Sequence, residues 1–202
     1  IIFDLDGTLW DSTEICAAAW TRMIQQKTNL DLMITSERLK QLFGRTLPEI
    51  AQILFPDYTI QQRMDLMDLC CEEEHQALLK KCAPLYPELK NTLKELTKKY
   101  RLFIVSNCEK GYIEVFLTTS GLSSYFEGHL CPGDTGNAKA ANIRQVVQDY
   151  HLQSPVYVGD TEGDWNAAKQ AGIPFTFASY GFGSVPSSDY TIKSFKELLN
   201  IF

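Results

Sequence analysis

The chain opens with the stretch Ile1-Ile2-Phe3-Asp4-Leu5-Asp6-Gly7-Thr8-Leu9. Its first three residues are apolar and include two β-branched isoleucines, which is typical of a strand buried on both faces. Because side chains alternate along an extended backbone, Asp4 and Asp6 leave this strand on the same side. Gly7 allows the backbone to turn away directly afterwards. The opening stretch therefore predicts two neighbouring carboxylates at the end of a buried strand.

Two carboxylates at this position have more than one interpretation. The carboxyl ends of parallel strands are where open α/β sheets place their functional groups. Side by side, Asp4 and Asp6 repel each other unless a cation lies between them or one of them holds a proton. Such a pair suits a hard divalent metal, or a nucleophile beside a general acid. The alternative is that both residues only form the turn that closes the strand.

Composition argues against several classes of function. The chain has 202 residues and a formal net charge of −6, which argues against a nucleic acid or an anionic membrane as partner. No apolar run approaches the length of a membrane span. The six cysteines show no CxxC spacing, so we expect free thiols and a cytoplasmic protein. Adjacent Cys70 and Cys71 are expected to be two small apolar residues of a helix.

Apolar residues recur at helical spacing from residue 14 to residue 81, without a strand signal. Ser12 or Thr13 is a suitable N-cap for a first helix of this segment. Its last helix, at about 61–81, contains the run Glu72-Glu73-Glu74-His75, which we interpret as a solvent-exposed face. Residues 14–81 are therefore predicted to form an all-helical domain.

The remainder of the chain alternates between helices and strands, which is typical of an α/β fold with a parallel sheet. The predicted architecture is a Rossmann-like doubly wound core of residues 1–13 and 82–202, with the helical domain of residues 14–81 inserted as a cap. A domain inserted just past the first strand can close over the carboxyl edge of the sheet and exclude water. Strands are predicted at 102–105, 128–131, 156–158 and 175–178, and helices at 86–100, 111–120, 138–150, 162–171 and from 193.

Polar side chains also follow two of the later strands. Ser106 and Asn107 come directly after the second predicted strand, and Asp160 follows the fourth. Asp164 falls in the first turn of the next helix, where the helix dipole also favours an acid. Each of these residues could simply cap a helix, but in a parallel sheet all of these strand ends share one edge. The coincidence favours a shared metal and phosphate site.

A site with several carboxylates needs a positive group to hold an anion. Lys139 opens the helix predicted at 138–150, after a glycine-containing turn. A lysine at a helix N-terminus is unfavourable for the helix dipole, so its position favours a role such as binding a phosphoryl group. The alternative is an ordinary surface lysine. The chain contains no GxxxxGK[ST] loop, GxSxG elbow or HExxH motif.

These motifs resemble those of the haloacid dehalogenase superfamily, in the capped phosphatase branch that includes phosphoglycolate phosphatase and β-phosphoglucomutase. The resemblance rests on Asp4-Leu5-Asp6-Gly7-Thr8-Leu9 and on Gly159-Asp160-Thr161-Glu162-Gly163-Asp164, with Ser106 and Lys139 in the expected order between them. Ala140 departs from the pattern, because relatives often have a Lys-Pro pair there. The resemblance covers nearly the whole chain and implies an enzyme that hydrolyses phosphomonoesters.

The resemblance implies a role for each acidic residue. Asp4 is expected to attack phosphorus and form an aspartyl-phosphate. Asp6 is expected to protonate the leaving oxygen and then to activate the hydrolytic water. Mg²⁺ is the implied cofactor, bound by Asp4, by the backbone carbonyl of Asp6 and by Asp160, with Asp164 nearby in a second or alternate ligand role.

The resemblance also implies which residues hold the substrate, a small phosphorylated metabolite. Ser106, the backbone of Asn107 and Lys139 are expected to hold the phosphoryl oxygens. Arg45 lies in a turn that resembles the substrate-specificity loop of capped relatives, where it would pair with a substrate anion. An ordinary surface role for Arg45 is the alternative.

The leading hypothesis is a Mg²⁺-dependent phosphatase acting on a small phosphomonoester, similar to phosphoglycolate phosphatase. A carboxylate at Asp6 disfavours dehalogenases and phosphonate hydrolases, which lack one at that position. A phosphosugar mutase of the β-phosphoglucomutase type is the second hypothesis, and a non-enzymatic phosphometabolite-binding module is the third. The sequence indicates neither the particular ester nor the oligomeric state.

Overall fold

A computed structural model describes residues 1–202, and its centre is one parallel sheet. The strands are β1 Ile2–Phe3, β2 Phe103–Val105, β3 Gly128–Leu130, β4 Tyr157–Gly159, β5 Phe175–Ala178 and β6 Tyr190–Ile192. Their order across the sheet is β3-β2-β1-β4-β5-β6, and every neighbouring pair is parallel. Both residues of β1 are completely buried, as its apolar pattern predicts for a central strand.

Helices cover both faces of this sheet, which confirms the predicted doubly wound α/β fold. The helices are α1 Thr13–Lys27, α2 Ser36–Lys40, α3 Leu47–Leu54, α4 Ile60–Lys80, α5 Leu89–Leu96, α6 Tyr112–Ser120, α7 Pro132–Thr135, α8 Lys139–Asp149 and α9 Glu162–Ala171, with 3₁₀ turns at Ser123–Tyr125 and Phe195–Asn200. None of these helices combines the length and the hydropathy that crossing a membrane requires.

The alternation of side chains along the strands divides the apolar core into two layers. On one face, Ile2 and Phe103 pack with buried residues of α8 and α9, including Ile143. On the other face, Phe3 belongs to a larger cluster that continues through Trp10 into the helical segment. The sheet is therefore buried on both sides, which holds the ends of its strands in a fixed arrangement.

The four helices α1–α4 lie between β1 and the rest of the sheet in the chain order. α1 packs along α4, and α4 also contacts α6 of the sheet's outer layer. Trp20 and Met67 contribute to the same large apolar cluster as Phe3. The helical segment is thus packed against the sheet rather than separated from it.

Some elements differ from the sequence-based predictions at the ends of the sheet. The helix predicted at 86–100 is shorter, because Glu88 has a left-handed φ of 61° just before α5 begins. β6 was not predicted, since two of its three residues are exposed and its pattern does not indicate a buried strand. The helix predicted from residue 193 is a 3₁₀ turn that begins at Phe195.

The interpretation of the acidic run in α4 is wrong for one residue. Glu74 is buried, with 5% of its surface exposed, because it shares one helix face with Cys70, Cys71 and Leu78. Those two cysteines are buried in α4 as predicted, and all six cysteines are free thiols. Glu74 is consequently a buried acid without an obvious structural reason in the sequence.

Candidate active site

The candidate site lies where β1, β2 and β4 end at the carboxyl edge of the sheet. β1 pairs with β2 on one side and with β4 on the other, so Asp4, Ser106 and Asp160 follow adjacent strands. The strand order reverses between β1 and β4, and ligands of open α/β sheets bind at such a reversal. The fold thus brings together the strand-end residues that the sequence analysis selected.

Lys139 is the centre of the charged cluster at this edge. Its Nζ atom donates to Asp4 Oδ1 over 2.8 Å and to Asp164 Oδ1 over 2.6 Å. All three side chains are buried, with Lys139 only 4% exposed. The lysine that opens α8 therefore points into the site and is not an ordinary surface residue.

Burial and neighbouring charges act against each other on these groups. Burial raises the pKa of Asp4 to about 6, the Asp164 carboxylate adds to the rise, and the Lys139 ammonium opposes it. For Lys139, burial by itself lowers the pKa, but the two carboxylates outweigh it and the pKa is raised. Lys139 therefore stays charged, and the cluster holds one fixed cation beside carboxylates that need positive charge.

Asp164 has both carboxylate oxygens engaged in hydrogen bonds. Its Oδ2 accepts from the Thr161 hydroxyl over 2.7 Å and from the Thr161 backbone N–H over 3.0 Å, which caps the start of α9. Its Oδ1 accepts from Lys139. The capping role and the site role considered in the sequence analysis are thus both present in one side chain.

Asp160 is held in a tight backbone cradle. Its Oδ2 accepts from the Phe182 backbone N–H over 2.7 Å, and its Oδ1 accepts from the Thr8 hydroxyl over 3.2 Å. A Cβ atom on Gly7 would lie 2.1 Å from Asp160 Oδ2, and one on Gly181 would lie 2.3 Å from the Asp160 Cβ. Only glycine fits at these positions, and the loop around Gly181, which sequence analysis did not assign to the site, helps to build it.

The acidic oxygens converge closely enough to hold one small cation. Carboxylate oxygens of Asp4, Asp160 and Asp164 all lie within 4.8 Å of one another. Burial and the neighbouring carboxylates raise the pKa of Asp160 well above its usual range, and the Lys139 ammonium only partly opposes this rise. A buried set of hard oxygen donors fits Mg²⁺. The side chain of Asp6 is not part of this group.

Asp6 has a separate environment, two residues along the chain from Asp4. Its Oδ1 accepts from the Ser12 hydroxyl over 2.5 Å and from the Tyr112 hydroxyl over 3.0 Å. Desolvation raises the pKa of Asp6 to about 7, and the Ser12 hydrogen bond opposes that rise. Asp6 is therefore able to hold and to release a proton near neutral pH. Tyr112 was not selected from the sequence, because a single tyrosine at the start of a helix carries no motif.

Asp4 and Asp6 also line a cavity between the sheet edge and the helical segment. The Ser106 hydroxyl lies beside the Asp4 carboxylate, where it lowers the pKa of that group. Asn107 donates from Nδ2 to the Gly44 carbonyl over 2.9 Å, which connects the sheet edge to the loop before α3. Trp20, Arg45, Cys71, Glu74, Glu109 and Tyr112 also line this cavity.

Glu74 is the unexpected acid of this cavity. Its Oε2 accepts from the Trp20 indole N–H over 2.6 Å, and no lysine or arginine forms an ion pair with it. Desolvation raises the pKa of Glu74 from 4.5 to about 8, and the Trp20 hydrogen bond opposes the rise. A periodicity that places residue 74 on the inner face of α4, with Cys70, Cys71 and Leu78, could have identified it.

The raised pKa of Glu74 predicts a pH-dependent stability. Between pH 4.5 and 8 the folded state keeps a proton that the unfolded state releases, so the free energy of unfolding falls as pH rises. Glu74→Gln has no such proton. Its free energy of unfolding should therefore lack this fall, which amounts to a few kcal/mol between pH 4.5 and pH 8. Urea unfolding at pH 5 and pH 8 in EDTA, for the wild type and the variant, measures the difference.

Glu72→Gln is the matched control, because Glu72 is an exposed acid of the same helix. It should leave the pH dependence of the wild type unchanged. If Glu74→Gln and the wild type lost stability in parallel from pH 5 to pH 8, Glu74 would titrate normally in the folded protein.

Residues 1–178 match the family described as haloacid dehalogenase-like hydrolases. The match contains both strand-end motifs, Lys139 and the helical segment, and it covers most of the chain. The chain therefore belongs to the haloacid dehalogenase-like hydrolase family, as the sequence motifs predicted.

Relatives that match the whole length of this chain are named phosphatases. The chain is 28% identical to a phosphoglycolate phosphatase of Vibrio parahaemolyticus, over 100% of this chain and 94% of the relative. A phosphoglycolate phosphatase of Aquifex aeolicus is 26% identical, over 100% of this chain and 95% of the relative.

Solved structures of the family share the fold. A haloacid dehalogenase-like hydrolase from Streptococcus pneumoniae superimposes with a TM-score of 0.86, covering 100% of this chain and 96% of that chain at 22% identity. At this level of identity the similarity establishes the architecture alone, so the chemistry has to be argued from the residues of this site.

Proposed function

We propose that this protein is a Mg²⁺-dependent phosphatase that hydrolyses a small phosphomonoester through an aspartyl-phosphate on Asp4. One observation carries the proposal: the Asp4 carboxylate lies at the wall of a cavity, 2.8 Å from the buried Lys139 ammonium. A nucleophile and a cation that attracts the phosphoryl oxygens thus occur side by side. Relatives named phosphoglycolate phosphatases over the whole chain length support the same reaction class.

The first half of the reaction transfers the phosphoryl group to the enzyme. An oxygen of Asp4 attacks phosphorus, the new O–P bond forms, and the bond to the ester oxygen breaks. Asp6 donates its proton to that departing oxygen, which leaves as an alcohol. A pKa of about 7 suits this role, because Asp6 then holds a proton in much of the protein near neutral pH.

The second half returns the enzyme to its starting state. A water molecule attacks the phosphorus of the aspartyl-phosphate, and Asp6, now ionised, accepts the proton of that water. The bond between Asp4 and phosphorus breaks, inorganic phosphate leaves, and Asp6 again holds a proton. Ser12 and Tyr112 orient Asp6 through its Oδ1, which leaves Oδ2 for the proton transfers.

Asp4, Asp160 and the Asp6 backbone carbonyl are the proposed ligands of Mg²⁺, with Asp164 close by. When bound, Mg²⁺ would offset the repulsion between the carboxylates and the phosphate dianion. We propose a second or alternate ligand role for Asp164, whose contact with Lys139 also orients that lysine. Ser106, the Asn107 backbone and Lys139 are proposed to hold the phosphoryl oxygens. Arg45, which is exposed at the cavity wall, is proposed to pair with a substrate anion.

We further propose that residues 14–81 act as a cap over a core of residues 1–13 and 82–202. The hydrogen bond between Asn107 and Gly44 supports this division, because it joins the sheet edge to the helical segment directly over the cavity. Opening the cap would break this contact and admit substrate. A cytoplasmic location stays a prediction.

Phosphate release from a panel of small phosphate esters tests the proposed function. With Mg²⁺ we expect release from a few related esters, and with EDTA we expect none. Absence of release from every ester, by a protein that binds Mg²⁺, would contradict the phosphatase proposal. Interconversion of sugar phosphates in place of release would favour a mutase, and binding without either reaction would favour a non-enzymatic module.

Asp160→Asn should raise the Mg²⁺ concentration needed for half-maximal activity by roughly tenfold or more. The substitution keeps the shape of the side chain in its cradle but removes the charge that a cation requires. The measurement is activity against Mg²⁺ concentration, with excess metal restoring much of the rate. Glu162→Gln, an exposed acid two residues away, should leave the curve unchanged, and an unchanged curve for Asp160→Asn would remove Asp160 from the metal site.

A further inference from the structure

Glu74 faces the space that the departing alcohol of the proposed reaction must occupy. It belongs to the wall of the same cavity as Asp6, the residue proposed to protonate the leaving oxygen. Asp4 and Ser106 occupy the wall of that cavity at the phosphoryl end, whereas Glu74 comes from α4 of the helical segment. Glu74 is thus positioned to contact the part of the substrate beyond the phosphoryl group.

The carboxyl of Glu74 keeps unused hydrogen-bonding capacity inside this cavity. A carboxylate accepts up to about four hydrogen bonds, yet the Trp20 indole N–H is its one conventional donor. The Cys16 thiol also lies against the group, but a thiol is a weak donor. No lysine or arginine forms an ion pair with the Glu74 carboxyl. A substrate group that donates hydrogen bonds would satisfy this carboxyl.

Other groups in the cavity wall favour the same kind of substrate group. Asn107 donates from Nδ2 to a backbone carbonyl, so its Oδ1 is identified as the remaining acceptor, and that atom is buried without a partner. Glu109 adds a further acid to the wall, and the only arginine there, Arg45, is exposed. Around the leaving group, the cavity offers hydrogen-bond acceptors and lacks a buried cation.

The size of the cavity limits the leaving group as well. Its volume is about 50 Å³, which leaves room for only a few water-sized groups. Trp20, Phe43 and Ile50 form apolar parts of the wall. A short carbon chain fits this space with less displacement of the helical segment than a sugar ring or a nucleoside would need.

We infer that the alcohol released by this enzyme is short and carries, beyond the ester oxygen, a hydrogen-bond donor, a hydroxyl or an ammonium group, that binds Glu74. The inference rests on the proposed phosphatase function and makes Glu74 a specificity-determining residue. A hydroxyl suits Glu74 in either protonation state, since it both donates and accepts. A carboxylate has no hydrogen to donate, so it would leave the buried Asn107 Oδ1 without a partner. The assignment therefore separates this chain from relatives named for phosphoglycolate.

Four esters of similar size test the inference in the presence of Mg²⁺: glycerol 3-phosphate, phosphoethanolamine, propyl phosphate and 2-phosphoglycolate. We expect kcat/KM for one of the first two to exceed the values for the last two by at least about tenfold. The faster of the first two identifies the donor as hydroxyl or ammonium. A preference for 2-phosphoglycolate, or equal values for all four esters, would overturn the inference.

Glu74→Gln supplies the sharper test above pH 8, where Glu74 is ionised, because it exchanges an acceptor for a donor at constant shape. The carbonyl of the introduced amide can still accept from Trp20, and the amide N–H then faces the cavity. We expect the preference for the donor-bearing ester over 2-phosphoglycolate to fall by at least about tenfold, whereas Glu72→Gln should keep the wild-type ratio. If Glu74 only supports Trp20, Glu74→Gln should lower the rates for all esters equally or leave them all unchanged. The preference for the donor-bearing ester over 2-phosphoglycolate would then be unchanged, and the inference would fail.

Acetyl phosphate, a small activated phosphoryl donor, separates this failure from failure of the proposed function. Hydrolysis of acetyl phosphate by wild type together with a wrong or absent ester preference overturns only the inference. Lack of Mg²⁺-dependent hydrolysis of acetyl phosphate and of all four esters overturns the phosphatase proposal itself.

Discussion

Asp4→Asn should lower turnover by roughly 10⁴-fold or more, because the variant keeps the shape of the side chain but loses the nucleophilic oxygen pair. Lys139 keeps its contact with Asp164 in this variant, so the fold should be retained. Steady-state phosphate release measures the loss, and thermal unfolding in EDTA confirms that the protein is folded.

A second measurement on the same protein addresses the covalent step directly. Acid quenching during turnover should leave the mass of one phosphoryl group on the wild-type peptide that contains Asp4, and none on Asp4→Asn. Near-normal activity of Asp4→Asn, or the phosphoryl group on another peptide, would show that Asp4 is not the nucleophile.

Lys139→Met should be the most destabilising single substitution at this site, by about 3–5 kcal/mol in EDTA. The variant leaves Asp4 and Asp164 buried beside each other without the cation that donates to both of them. Urea unfolding gives the free energy of unfolding. Lys94→Met, an exposed lysine of α5, is the control and should change stability by no more than about 0.5 kcal/mol.

The double variant Lys139→Met/Asp4→Asn tests the cause of this loss. Removing the Asp4 charge relieves the repulsion between Asp4 and Asp164 that remains without Lys139. The free energy of unfolding of the double variant should therefore exceed the value predicted by adding the two single effects by about 0.5–3 kcal/mol. Additive effects would mean that Lys139 stabilises the fold through packing rather than charge.

The residues that sequence analysis placed in the site share a simple physical property. Asp4, Ser106 and Asp160 come directly after buried strands, and parallel strands bring their carboxyl ends to one edge. Lys139 was recognisable because it stands where the helix dipole disfavours it. Strand pattern and chain order were therefore sufficient for the fold and for the charged part of the site.

The residues that were missed depend on contacts between distant segments. Glu74 was assigned to solvent because three consecutive acids usually face water, yet the packing of α4 turns one of them inward against Trp20. Tyr112 reaches Asp6 from 106 positions away along the chain. β6 lies at the edge of the sheet, where exposed residues hide the alternating pattern. Such features follow from tertiary packing, which local patterns do not contain.

Asp164 has a practical consequence for the choice of inactive variants. One of its oxygens caps α9 through Thr161 and the other binds Lys139, so a substitution there changes protein folding and chemistry together. An inactive protein made at position 164 would give weak ligand binding for either reason. Trapping a substrate for crystallography or calorimetry is therefore better attempted with Asp4→Asn, where a loss of binding can be attributed to the reacting centre alone.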